Sequence, residues 1–410
     1  MLQINKLVQT GTASRHRRLP FRPTLLALSL SLSLSLCGAA STVQADPLPD
    51  PPRYALTVVG GAGSVAYDVN IAGDVVGDVT VGGGNRGFLY AGGALVDIGT
   101  GTGTWSSARH VNDVGQVVGT VGDDSGSAGF LYSGGSLGVL DGSRSAYGIN
   151  NSGTITGVFG VVGSDGFAYS HAYSYAGGVY TDAGTLIEEA GSYGYAINNS
   201  GAITGAAEWA RGANWPTNVI LYQNGVLSDL GAFAGPWAYG YSINDLGHVV
   251  GSGTIENIGG DLYPRRALLY ADGVMHNLGS LMADAYSTAY DINNLGQVVG
   301  AADTAGGMHG FLYEDGAMVD LNTLIDPASG WTIRDAQAIN DIQQIAGTAC
   351  QGELCYAVRL DLVSQVPEPA NWAMCGIGFG VLALAARRRR RPGEDGAYPC
   401  RQQGLSASLI

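Results

Sequence analysis

The chain has 410 residues and a net charge of −14, and residues 46–365 alone hold 31 acidic against nine basic side chains and no lysine, a balance of −22. A surface of that sign repels nucleic acid and anionic polymers and tolerates divalent cations, so nucleic-acid binding is excluded. No metalloprotease, P-loop, dinucleotide-binding or nucleophile-elbow motif occurs, which leaves no recognised catalytic signature and argues against an enzyme.

At the N-terminus, Arg15, Arg17, Arg18 and Arg22 form a basic region, residues 25–36 an apolar run broken by serines, and Val43-Gln44-Ala45 a small-residue cleavage site. This pattern predicts a secretory signal peptide over 1–45, followed by a linker over 46–53.

Next comes a lone strand phrase, YALTVVG at 54–60, and then one phrase repeated seven times: YDVNIAGDVVG (67–77), RHVNDVGQVVG (109–119), YGINNSGTITG (147–157), YAINNSGAITG (195–205), YSINDLGHVVG (241–251), YDINNLGQVVG (290–300) and QAINDIQQIAG (337–347). The shared asparagines Asn70, Asn112, Asn150, Asn198, Asn244, Asn293 and Asn340 step by 42, 38, 48, 46, 49 and 47 residues. Asn-[Asn/Asp]-x-Gly between β-branched runs is turn chemistry, because Asn and Asp bond nearby backbone groups and Gly takes the left-handed conformation. Gln343 replaces that Gly in the seventh copy, which predicts a left-handed non-Gly residue or an altered turn. The Gly that ends each copy is expected where packed strands leave no room for a side chain.

Each copy is followed by an aromatic phrase, such as FLY (88–90), HAYSY (171–175) or the variant CYAV (355–358), and six copies by a further phrase such as LVDIG (95–99) or VLSDLG (226–231). Four short strands in about 45 residues is the size of a propeller blade. The seventh repeat lacks its fourth phrase and 54–60 supplies a spare, so the expected fold is all-β. It is a seven-bladed β-propeller over 54–363, with four-stranded blades, the Asn phrase innermost and the ring closed by the N-terminal strand. An open β-solenoid would not need the spare strand. The pattern AxxINxxGxVVG…HAFLY…DLG resembles the HAF-repeat family of extracellular proteins. Its His-Ala-Phe triplet survives best as His171-Ala172-Tyr173, then as His309-Gly310-Phe311 and Arg86-Gly87-Phe88. That resemblance implies an extracellular repeat protein and brings no enzymatic activity with it.

Cys350 and Cys355 flank a four-residue stretch containing Gly, and in an oxidising compartment they would close a hairpin as a disulfide; zinc would need more ligands. Beyond them, Pro367, Glu368 and Pro369 precede apolar residues 370–386 and the run Arg387, Arg388, Arg389, Arg390 and Arg391. Seventeen residues at about 1.5 Å each reach about 25 Å, the short limit for a transmembrane helix, with the arginines on the cytoplasmic side. The stretch 364–391 resembles the PEP-CTERM sorting signal of exopolysaccharide-producing Gram-negative bacteria. It implies a transient inner-membrane stage, an exosortase-type processing enzyme as partner, and delivery to the cell surface or extracellular matrix; a permanent anchor is the competing reading. Residues 392–410 read as a polar, disordered tail.

Candidate sites in the body are few. His110, His171, His248, His276 and His309 occupy unrelated repeat positions and read as structural. Asp97, Asp182, Asp229 and Asp320 share one position in the fourth phrase, so they are expected to serve the blade. Asp123 and Asp124, in GDDSGSAG, are a weak calcium site or a solvated turn, and calcium is the one cofactor this sequence suggests. Trp209, Trp215 and Trp237 lie in inserts, where they would stack on sugar rings if exposed or pack against blades if buried. The function expected is a non-enzymatic binding or structural component of the envelope or exopolysaccharide matrix. The alternative is a polysaccharide-cleaving glycosidase or lyase, which requires non-repeated acidic and aromatic residues converging on a central pocket.

Overall fold

The computed structural model describes residues 53–211, 215–255 and 264–363. The expected signal peptide, the sorting signal with its helix at 370–386, and the tail lie outside the described residues. Among the described residues no helix is long and apolar enough to cross a membrane.

Those residues form 28 strands in seven antiparallel four-stranded sheets, with two short 3-10 turns, Leu321–Thr323 and Pro327–Ser329, between the sixth and seventh sheets. Six sheets each use four consecutive strands. The seventh takes three strands from the C-terminal end of the described body and one, Tyr54–Ala62, from its N-terminal end. That strand pairs antiparallel with Leu354–Leu362, Tyr54 opposite Leu362 and Val58 opposite Val358. The chain is thus a seven-bladed propeller closed by its N-terminal strand. Blades are numbered 1 to 7 from Ser64, and the innermost strands are Ser64–Val69, Trp105–Val111, Ser143–Ile149, Ser192–Ile197, Ala238–Ile243, Ser287–Ile292 and Thr332–Ile339.

Every innermost strand carries a bulge at one repeat position. In blade 3, Ala146 pairs with Gly157 and Gly148 with Thr156, leaving Tyr147 as the extra residue. The equivalent extra residues are Tyr67, Arg109, Tyr195, Tyr241, Tyr290 and Gln337. A bulge re-aims its side chain, here toward the propeller axis. It also brings the two backbones together, which explains the Gly that ends each phrase. A Cβ on Gly157 would lie 2.0 Å from the Ser145 carbonyl oxygen, and one on Gly205 would lie 1.7 Å from that of Tyr193. The sequence placed this glycine where a strand leaves its packing; it lies instead within the second strand, opposite the bulge.

The core lies between neighbouring blades. Val76, Leu89 and Ile98 of blade 1 pack with Ala108, Val117 and Phe130 of blade 2, and the third-strand residue opposite the phrase-ending Gly, such as Phe88, Phe130, Tyr173 or Phe311, is buried. Burying one such ring stabilises the fold by about 1.5–3 kcal/mol. Serine hydroxyls fasten the seams. Ser106, Ser192 and Ser287 each accept, at 2.9 Å, a backbone N–H from the third strand of the preceding blade, and Ser64 does the same for Ala357 across the closure. Cys350 and Cys355, opposite each other in the last hairpin, are joined by a disulfide.

Candidate functional site: the central channel

The repeated asparagines build one mouth of the channel. Each side-chain oxygen accepts N–H groups of its own turn; Asn150 Oδ1, for example, takes those of Ser152 and Thr154. Each Nδ2 donates to the backbone carbonyl of the next repeated asparagine, from Asn70 to Asn112 and on round to Asn340, which returns to Asn70 at 2.8 Å. The seven bonds form a closed ring. The primary amide supplies both functions at once, its oxygen accepting within the turn and its Nδ2 donating across the seam. The following residue forms an outer ring of six bonds, in which Asp113, Asn151, Asn199, Asp245, Asn294 and Asp341 accept the N–H of the preceding blade's equivalent residue. It stays open at Ile71, which has no side-chain acceptor.

Two positions before each asparagine the sevenfold pattern fails. That layer holds Asp68, His110, Gly148, Ala196, Ser242, Asp291 and Ala338. Its four polar members line both a cavity of about 210 Å³ on the asparagine side and one of about 350 Å³ on the other. Asp68 Oδ2 accepts the Val111 N–H at 2.8 Å. Asp291 Oδ2 accepts that of Ile339 at 2.8 Å, and its Oδ1 the Ser242 hydroxyl at 2.6 Å. His110 Nδ1 lies 3.2 Å from Asp68 Oδ2 but out of line, so among the described residues this buried nitrogen has no hydrogen-bond partner. Burial, reinforced by the negative charge of Asp68, pushes the Asp291 carboxyl up to about 6. Burial also raises Asp68, while His110 acts in the opposite direction.

The larger cavity is walled by the bulge residues. Tyr147, Tyr195, Tyr241 and Tyr290 follow one another across blades 3 to 6, and in blade 2 the Arg109 guanidinium lies 4.3 Å from the centre of the Tyr67 ring. Burial raises the phenols of Tyr195 and Tyr290 far above the ordinary range, so both remain hydrogen-bond donors.

The other sequence-level candidates lie away from the channel. Asp97, Asp182 and Asp229 each accept, at 2.8 Å, the N–H two residues on, and Asp320 accepts that of Asn322 at 2.9 Å. Two of them also hold the histidine of the worn triplet: His171 Nδ1 is 2.9 Å from Asp182 Oδ2, and His309 Nδ1 is 2.7 Å from Asp320 Oδ2. The triplet and the DLG phrase are therefore two halves of one clasp between a blade's third and fourth strands. Asp123 Oδ1 accepts both the N–H and the hydroxyl of Ser125 in an exposed turn. Among the described residues no group of three or more His, Cys, Asp or Glu is placed to hold a metal ion. Trp209 and Trp215 are exposed, whereas Trp237 is half-buried and bridges Thr217.

Asp68, Ser242, Asp291 and the tyrosine arc were not among the sequence candidates. Their signal was in the aligned copies: the column two before the asparagine reads D, H, G, A, S, D, A. The columns two and four after the asparagine vary as well, but they line neither cavity, so only the fold singles this column out.

A family profile described as a protein of unknown function (DUF3466) matches residues 231–363. No curated protein matches the sequence. Among solved structures, the chain is similar to TolB from Acinetobacter baumannii, at 14% identity and a TM-score of 0.38, over 64% of this chain and 62% of that one. It is also similar to a catalytically inactive virginiamycin B lyase from Staphylococcus aureus solved with quinupristin, at 11% identity and a TM-score of 0.43, over 76% of this chain and 100% of that one.

Proposed function

We propose that the chain is an exported propeller that acts by binding, with the central channel as its site, at the cell surface or in the exopolysaccharide matrix of a Gram-negative bacterium. The observation that carries the binding site is the broken layer: Asp68, His110, Ser242 and Asp291 differ from blade to blade inside a hub otherwise built from repeated residues. Repeated positions serve every blade alike, so selection for a ligand acts where they diverge. Binding is favoured over turnover because the acids are engaged by the scaffold: Asp291 through both oxygens, and Asp68 through the Val111 N–H. Export rests on the N-terminal signal pattern and the 364–391 sorting pattern, which name an exosortase-type enzyme as a processing partner. The HAF-like repeat agrees with a place outside the cell, and extracellular polysaccharide is the partner this setting offers. The test is a glycan array with the full chain, with and without calcium, alongside an assay for released products. Binding without products supports the reading; a blank array overturns it.

A polysaccharide-cleaving reading is favoured by one observation. Asp291, held up to about 6 beside a second carboxyl, has the environment of a general acid. Product release that Asp291→Asn abolishes would replace binding with catalysis.

A further inference from the structure

We infer that the cavity on the tyrosine side of the channel is a receptor for an organic ammonium group, carried on an amino sugar or on a free polyamine. This rests on the binding reading above and names its ligand class. Tyr147, Tyr195, Tyr241 and Tyr290 form an unbroken arc, with neighbouring ring centres 5.7, 5.9 and 6.3 Å apart. Both the faces of such rings and their phenolic oxygens carry partial negative charge. The same cavity is also lined by the two carboxyl groups Asp68 and Asp291, and the charge of Asp68 disfavours ionisation of Asp291.

The ligand follows from what such a cavity rewards. An anion is repelled by these carboxyl groups. A neutral hydroxyl gains only a hydrogen bond there, from carboxylates that already accept from Val111, Ile339 and Ser242. A cation is attracted by the arc and also relieves the repulsion between the two acids. The ring already holds a cation of its own where the pattern changes, since Arg109 takes the tyrosine position of blade 2 and stacks on Tyr67. Arg265 repeats the contact just behind the arc, 5.6 Å from the centre of Tyr239 and 5.9 Å from that of Tyr286. About 350 Å³ admits one small group rather than a polymer chain, so a chain end or a free amine enters. The acidic body raises the concentration of cations around the mouth.

The experiment is titration calorimetry on the full chain with a glucosamine tetramer, its N-acetylated counterpart and spermidine. Binding of the glucosamine tetramer, of spermidine or of both is expected, and which of them binds distinguishes a sugar-borne amine from a free one. N-acetylation of the tetramer, Asp291→Asn and Tyr195→Leu are each expected to weaken binding about tenfold or more. Asp272→Asn makes the same charge change on an exposed hairpin and is expected to leave affinity unaltered, which excludes general attraction to an acidic surface. If one variant fails to fold, the other still reports. Equal binding of both tetramers, or affinity indifferent to Asp291→Asn and Tyr195→Leu, overturns the inference while leaving the binding reading intact. No binding of any of the three probes overturns it as well, and the glycan array then decides the broader reading separately.

Discussion

The repeated asparagine shows why one residue type recurs at one place. Aspartate could accept the turn's N–H groups equally well but has no proton to donate across the seam. Asn150→Asp should therefore keep its turn and lose its bond to the buried Asn198 carbonyl, costing about 1–3 kcal/mol; urea denaturation measures it. Asp291 gives a second prediction at this scale. Its carboxyl is raised from 3.8 to about 6, so between those values the folded chain holds a proton that the unfolded chain has released. Stability from this group is thus greatest below that window and falls as pH rises through it, by up to about 3 kcal/mol. Asp68, the Ser242 hydroxyl and the N–H groups of Ile339 and Ile292 act on this carboxyl, and His110 acts on Asp68 in turn. Asp291→Asn removes the titrating group, so its melting temperature relative to the parent should increase on going from mildly acidic to neutral pH. A difference that stays flat would contradict the assignment. The same substitution should impair ligand binding, a trade of stability against function common at binding sites.

At the scale of the element, the bulge and its opposing glycine act together. The bulge turns one residue per blade toward the axis, and the glycine lets the second strand pass close beneath it. Gly157→Ala would press a methyl group on the Ser145 carbonyl and should cost at least about 1–3 kcal/mol, read from the thermal midpoint. Much of this element was legible in the sequence. The Asn-x-x-Gly turn was, and so was its exception: Gln343 takes φ 65° where the other copies place Gly. Its side-chain oxygen accepts from Arg53 and Gln297, contacts that help hold the strained turn. The bulge was not legible, because a period-two pattern does not reveal one extra residue; the column of tyrosines was visible in the aligned copies, but not that a bulge turns it toward the axis.

For the whole molecule, the decisive contact is the closure. The strand Tyr54–Ala62 covers the edge of Leu354–Leu362, the Val363 N–H bonds to the Arg53 carbonyl, and Arg53 forms an ion pair with Glu314 of blade 6. Deleting residues 54–62 would expose an unpaired edge in blade 7. The expected outcome is association at micromolar concentration and a broadened, less cooperative melt, seen by size-exclusion chromatography and calorimetry. A monomer with an unchanged melt would show that the closure contributes little.

The sequence alone determined the number of blades, the order of strands within them, the residue that turns each hairpin and the strand that closes the ring. These are local or periodic properties: seven copies of one phrase and one unmatched strand admit a single count. Only the tertiary structure decided what the copies do together. The closed amide ring, the meeting of Asp68 with Asp291 and the continuous tyrosine arc join residues from blades far apart in the chain. No phrase contains them, because they exist only once the seven innermost strands face one axis.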